Sequence, residues 1–557
     1  MSSQQEVVPV TPTPPSPATD GPDLSDGWRS QRSRLRKDLR RLDVFFFLIC
    51  TLVGLDTIGS VAAAGPQGLT WMAVLALVFF LPYGLLVAEL GSTFPVQGGP
   101  YVWTRLAFGR LTAGVNQVLY WLSNPVWLGG SLCIIALTTW EQFFTPLPGP
   151  WKYAAGLAFI WAGALAVVRS VRVGKWVPIA GAVARIVLLG FFLVSVIVYA
   201  AEHGVHPLPA GEFAPTYAGF VALVPVLIFN YVGFELPSTA AEEMTHPQRD
   251  IPLSVLRSGL ASLVLYGGPI LGILFVLPGD RIGSLGGFID ACKAVFTVYG
   301  GHIGPGGAVT LTGLGAVLGS IAAAGLIVGV LTSGVTWAMG AHRAQAVACA
   351  DGAGPAWLGR ISERHGTPVR VNLLSAALAS VLLVVALNLT DGDGEKYFAA
   401  GLGLTISTTF ISYVITFPSL LVLRRKYPDT PRPYRVPGGR AGVRAVTVLT
   451  TGLVAFTVVV LIWPGFGVGW FGTGGSSAAS LPESFAGARL QYTLSQVLPL
   501  LCFLAVGLLF VVLGTPARRR MRRTPGGAAG DAVAPGAAVG QAGDPAPPRP
   551  SDTARRR

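Results

Sequence analysis

The sequence predicts an all-α polytopic membrane protein with twelve transmembrane helices, of which the first and sixth are discontinuous. Composition, the recurrence of long apolar runs and the distribution of positive charge carry that expectation. Hydrophobic residues occupy 52% of the 557 positions, 71 glycines bring the apolar share to about 65%, and charged residues hold only 12%, where soluble domains hold about 45–50% with glycine counted and about 25% charged. Such a chain cannot clothe itself in polar surface, which excludes an ordinary soluble enzyme and a disordered scaffold.

A hydrocarbon core of about 30 Å needs roughly 20 apolar residues per helix. Runs of this kind fall at 44–64, 68–92, 112–140, 153–168, 176–201, 217–240, 254–278, 307–341, 371–390, 398–423, 445–464 and 491–514. The run at 307–341 exceeds one straight crossing, so it should tilt or continue into the cytoplasm. An even number of spans puts both termini on one side. The loops on that side hold 18 Lys and Arg and the opposite loops 5, so the positive-inside rule makes both termini cytoplasmic, as in a plasma-membrane protein. The basic cluster Arg29–Arg41 precedes span 1. The net charge of +13 is therefore topological, and no nucleic-acid partner is expected. The expected organisation is a disordered basic tail (1–40), spans 1–5 (41–201), spans 6–10 (202–424), a basic loop with spans 11 and 12 (425–515), and a second disordered tail (516–557). The tails lack apolar periodicity.

Charges inside spans cost about 2.5–3.5 kcal/mol each on insertion scales and are usually functional. The sequence places Asp56 in span 1, Arg185 in span 5 and Glu235 in span 6, with Glu89 at the cytoplasmic end of span 2, close enough to reach the interface. Asp56 and Glu235 each sit in a helix that should break. Span 1 reads Gly54-Leu55-Asp56-Thr57-Ile58-Gly59-Ser60, and span 6 reads Asn230-Tyr231-Val232-Gly233-Phe234-Glu235-Leu236-Pro237. Glycine weakens a helix and proline removes a donor. The backbone groups so freed must be buried in protein or line a polar cavity. Broken spans five apart are the spacing of a five-plus-five inverted repeat, and interrupted helices at matching repeat positions point to a transporter's binding site. The glycines of span 8 (Gly313, Gly315, Gly319, Gly325, Gly329) read instead as close helix packing. Trp121, Trp127 and Trp337 are aromatic candidates for the pathway. The five cysteines show no CxxC spacing and the six histidines fall in connecting segments, so no metal or other cofactor is expected.

The stretch Phe229–Pro252, FNYVGFELPSTAAEEMTHPQRDIP, and the stretch Glu89–Trp103, ELGSTFPVQGGPYVW, resemble the amino acid–polyamine–organocation superfamily of transporters over residues 40–515. The resemblance implies the five-plus-five fold with two appended helices, a central site between spans 1, 3, 6, 8 and 10, and alternating access. Many members carry a Gly-Ser-Gly-type break in span 1 that holds a substrate carboxylate. Here Ile58-Gly59-Ser60-Val61 has no second glycine and Asp56 adds an acid, a pattern closer to the glutamate/GABA-exchanger-like branch. Proton-coupled members often place a lysine near Arg185. The acidic pair Glu242 and Glu243 reads as a solvated anchor of the cytoplasmic loop near Arg249.

The expected function is secondary transport of amino acids or related amines, with a polyamine, other organic-cation or nucleobase transporter of the same architecture as the alternative. The expected substrate contacts are Asp56, Thr57, Ile58, Gly59, Ser60, Asn230, Tyr231, Gly233, Phe234 and Glu235, with Arg185 and Glu235 in coupling or gating. An integral-membrane enzyme would need paired catalytic carboxylates or histidine clusters, a channel repeated filter motifs, and an ATP-driven pump a GxxxxGK[ST] loop; the sequence shows none of these. The partners are a small-molecule substrate and the bilayer, and self-association is left open.

Overall fold

A computed structural model describes residues 39–168, 174–283, 285–304, 307–389, 394–468 and 487–523, with 481, 482 and 485. The expectations for residues 1–38 and 524–557, and for Arg169 and Arg172, lie outside these residues; residues 516–523, expected as disordered tail, are instead part of the helix Thr515–Arg523. Every one of the twelve apolar runs contains helix. Nine helices among the described residues are long and apolar enough to cross a membrane by themselves, and Tyr217–Phe229 and Val369–Val385 are shorter apolar helices. The sheet content described is one antiparallel hairpin, Gly301–Ile303 with Val309–Leu311, whose second strand takes the first residues of the run 307–341, so that the helix of span 8 starts only at Gly313.

The breaks have local causes. Span 1 is Arg41–Leu52 and then Ile58–Ala62, with Val53–Thr57 unwound around Gly54. Span 6 is Tyr217–Phe229, an unwound turn, and the 3-10 segment Leu236–Glu243, which opens on Pro237. Gly233 has φ 130°, a conformation that favours glycine. Span 3 runs 34 residues, Arg110–Phe143. Pro125 removes a donor inside it, and a π turn follows at Leu128–Leu132, a common accommodation of a disrupted ladder. In that turn a Cβ on Gly129 would lie 2.3 Å from the Ala379 carbonyl of span 9, so only glycine permits the approach.

Span 8 runs from Gly313 to Ala350, 38 residues, about 57 Å at 1.5 Å per residue. It stays helical well beyond one crossing, so His342 and Arg343 lie within the helix and are buried. This corrects the reading of all histidines as connecting-segment residues: His342 Nδ1 pairs with Asn372 Oδ1 at 2.8 Å. Two acids also depart from expectation. Glu89 does not reach the interface. It is 1% exposed and takes two bonds of 2.6 Å from Arg424 and one of 2.7 Å from the Val436 N–H. Glu243 is not solvated either. It is fully buried, with Arg343 Nε at 2.8 Å and Gln97 Nε2 at 2.7 Å, so Arg343 holds the place expected of Arg249. The reason is common to both: each acid sits where a long basic side chain from a neighbouring helix can follow it into the protein.

Candidate functional site

A broken helix must find partners for its freed carbonyls. At the end of Arg41–Leu52 they are supplied by other spans. The Cys50 carbonyl accepts from Ser333 Oγ at 3.2 Å and the Thr51 carbonyl from Trp337 Nε1 at 3.3 Å. The Leu52 carbonyl takes the Gly54 N–H, and the Ile49 carbonyl the Val53 N–H. The Val53 carbonyl accepts from Arg185 Nε at 2.8 Å. The unwound turn is thus held by spans 5 and 8.

Arg185 is fully buried and does not snorkel to the interface. Its Nη1 donates to the Gly181 carbonyl (2.7 Å), Thr332 Oγ1 (3.2 Å) and Cys50 Sγ (3.4 Å). Its Nη2 donates to the Gly329 carbonyl (2.5 Å) and to Ser333 Oγ. A guanidinium has five N–H donors and no acceptor; here all three nitrogens are engaged by carbonyls, hydroxyls and a thiol, and none by a carboxylate. The positive charge stands at the carboxyl end of a half-helix, where the helix dipole favours it.

Asp56 lies in the unwound turn of span 1, 3% exposed. Its Oδ2 accepts from Trp127 Nε1 of span 3 at 2.9 Å. Its Oδ1 is buried with no hydrogen-bond partner among the described residues. Glu235, 1% exposed, is gripped by three tyrosines from three different spans. Oε1 accepts from Tyr120 (span 3, 2.7 Å) and Tyr413 (span 10, 2.6 Å), and Oε2 from Tyr83 of span 2. The Tyr83 oxygen also receives the Gly233 N–H at 3.0 Å, which ties the span 6 break to the same network. Neither carboxylate forms an ion pair among the described residues.

Aromatic rings join the two acids. Trp337 lies 5.9 Å from Trp127 and 6.4 Å from Tyr120 between ring centroids, and Trp127 lies 5.7 Å from Phe229. A Cβ on Gly233 would meet Trp337 at 3.4 Å and Thr51 at 3.5 Å, so the two breaks face each other across these rings. Trp127 and Trp337 therefore belong to the site. Trp121 does not: it donates to Ser375 Oγ at 2.7 Å and packs on Phe510.

The other expected contacts divide. Thr57 caps the break, its hydroxyl on the Gly54 carbonyl at 3.2 Å. Ile58, Gly59 and Ser60 start the second half-helix and lie beyond the unwound turn. Asn230 ends the helix of span 6 with a buried Oδ1 that has no hydrogen-bond partner among the described residues. Tyr231 turns away, donating to the Met72 carbonyl at 2.7 Å. Phe234 stacks between Phe80 and Tyr83. Sequence reasoning missed Tyr83, Tyr120, Tyr413 and Tyr266, whose oxygen takes the Gly54 N–H at 2.7 Å. The available signal was tyrosine in mid-span, where a buried hydroxyl needs a partner.

Two broken helices facing each other, each with a buried acid at its break, define a membrane transporter rather than an enzyme or a channel. The family model described as amino acid permease matches residues 39–473, and the chain belongs to that family, within the amino acid–polyamine–organocation superfamily. It is a secondary transporter of amino acids or related amines. A probable agmatine/putrescine antiporter of Lactococcus lactis is 25% identical over 421 residues, 75% of this chain and 86% of that one. A branched-chain amino acid permease of Bacillus subtilis is 24% identical over 439 residues, 73% of this chain and 85% of that one. The fold is shared with a crystal structure of a manganese transporter from Eremococcus coleocola, at TM-score 0.54 and 11% identity over 89% of this chain and 98% of that chain. That likeness concerns the fold alone, and the described residues contain no group of three His, Cys, Asp or Glu able to hold a metal.

Proposed function

We propose that the protein carries a substrate bearing an ammonium or guanidinium group across the plasma membrane by alternating access, with Asp56 as its cation partner and Glu235 as contact and gate. The observation that carries this reading is the buried Oδ1 of Asp56, which has no hydrogen-bond partner among the described residues, beside an Arg185 whose nitrogens all turn to neutral acceptors. Removing an ionised carboxylate from water costs several kcal/mol unless a partner compensates, and a substrate cation supplies that partner. The similarity to an agmatine/putrescine antiporter fits a cationic amine. On this reading 41–201 and 202–424 are the two repeats, the termini face the cytoplasm, and the substrate lies between the span 1 and span 6 breaks, flanked by Trp127 and Trp337.

Arg185 serves as a fixed charge that holds the span 1 break without cycling a proton, because arginine keeps its proton at any physiological pH. Exchange of one amine for another then needs no proton step at this position. The test is uptake and exchange in proteoliposomes with a panel of cationic, neutral and anionic amino acids and diamines. Wild-type protein should rank cationic amines first, and Asp56→Asn should flatten that ranking. An unchanged ranking in Asp56→Asn removes Asp56 from selectivity.

A further inference from the structure

The cytoplasmic loop between spans 10 and 11 is read from the sequence only as topological charge, yet it folds into a basin. Arg424, Arg425, Arg432, Arg435, Arg440 and Arg444 line a cavity of about 520 Å³ over a floor formed by Leu421 and Val443. Two of the six are already engaged. Arg424 is bonded to Glu89, and Arg432 stands 3.5 Å from the same carboxylate and donates to the carbonyls of Tyr427, Pro428 and Thr430. Arg425, Arg435, Arg440 and Arg444 are exposed and form no ion pair among the described residues. Among the described residues Glu89 is thus the one acid bonded to these arginines, and burial together with Arg424 and Arg435 acts to lower the pKa of Arg432, which Glu89 opposes. Like charges so close are unfavourable unless an anion enters.

We propose that this basin binds the phosphate headgroup of an anionic membrane phospholipid. Three features favour a lipid over a free anion. The basin lies between the helix ends Ser419–Lys426 and Gly439–Ile462, where a bilayer's polar headgroups meet the cytoplasm on the topology proposed above. Basic pockets between spans on that side suit such headgroups. Apolar surface for the acyl chains adjoins it: Val448 and Leu449 of span 11 are exposed, and Tyr434, next to Arg435, lines an apolar groove of about 310 Å³ between spans 2 and 7. Glu89 lies on span 2, so headgroup occupancy would act on the helix that also carries Tyr83.

The test uses the full-length protein in nanodiscs of phosphatidylcholine with and without phosphatidylglycerol, read by native mass spectrometry and thermal unfolding. Wild-type protein should retain phosphatidylglycerol selectively and unfold at a higher temperature in its presence. A basic residue near anionic headgroups is worth about fivefold in affinity, so R435Q/R440Q should lower retention roughly 25-fold. R360Q/R364Q removes the same charge from exposed positions of another loop and should leave retention unchanged. Equal loss in the two double variants would mean attraction by net charge and would overturn the site. So would wild-type retention no greater than that of phosphatidylcholine, or a bound mass of inorganic phosphate alone. The readouts need no transport, so a failed amine assay leaves this proposal separately decidable.

Discussion

Glu235→Gln is the most informative change the site offers. The carboxylate accepts from Tyr120, Tyr413 and Tyr83, while Tyr83 also accepts the Gly233 N–H. A glutamine keeps the shape, and its carbonyl can still serve Tyr120 and Tyr413. Its amide then faces Tyr83, donor against donor. Either the Tyr83 proton is left without an acceptor, or the amide competes with Gly233 for the Tyr83 oxygen. An orphaned buried donor costs about 1–3 kcal/mol, and the two surviving bonds lose their charge assistance. If the cost falls on the transport cycle, the rate drops at least about tenfold, the equivalent of about 1.4 kcal/mol. Tyr413→Phe removes one donor and leaves two, so its loss should be smaller, about fivefold for about 1 kcal/mol. The assay is initial uptake of a radiolabelled cationic amine into proteoliposomes across a range of pH, with thermal unfolding as a control for folding. Glu235→Gln protein that transports at wild-type rate at every pH refutes the role assigned to Glu235, and a greater loss in Tyr413→Phe than in Glu235→Gln refutes the donor accounting.

Gly233→Ala should abolish most transport, because φ at 130° is strained for any side chain; normal uptake would show that the turn relaxes freely. Arg185→Lys should introduce dependence on a pH gradient, since a buried lysine can release a proton, while Arg185→Ala should impair folding; gradient dependence already present in wild type and unaltered in both variants would dismiss the fixed-charge role. Asp351, just beyond span 8, is buried and bonded by Tyr101 and Arg110 and paired with Arg105. Burial alone would raise its pKa, but the two arginines outweigh it and hold it below the ordinary aspartate range. Its contribution is therefore present above about pH 4 and lost as pH falls through the depressed folded value. Asp351→Asn should cost about 3 kcal/mol at neutral pH, and its deficit in thermal unfolding should narrow in strong acid; a deficit independent of pH would mean packing, not charge.

The helices were legible because one physical demand, about 20 apolar residues per crossing, writes itself into composition. The breaks at Gly54 and Gly233 were legible for the same reason: polar and glycine residues have few uses at that depth. The partners were not. Nothing in the spacing of Tyr83, Tyr120 and Tyr413 tells that three spans converge on one carboxylate, since pairings 115 to 178 residues apart are decided by tertiary packing. Glu89 and Glu243 were misread because a charge at a helix end is usually solvated; only the structure shows Arg424 and Arg343 following them inward.

That misreading exposes the asymmetry on which the functional reading rests. Four buried acids away from the breaks each have an arginine: Glu89 with Arg424, Glu243 with Arg343, Asp250 with Arg41, and Asp351 with Arg105. Asp56 and Glu235 have none among the described residues, and Arg185, at the span 1 break, directs all its nitrogens to neutral acceptors. Breaking a buried pair by removing one partner costs about 3–5 kcal/mol, so a carboxylate kept at the centre without a partner is a standing cost. It makes physical sense where the partner arrives and leaves. The paired acids at the helix ends bind helices to one another, and on the proposed reading the unpaired acids at the breaks are the groups left to bind a cation that the substrate supplies.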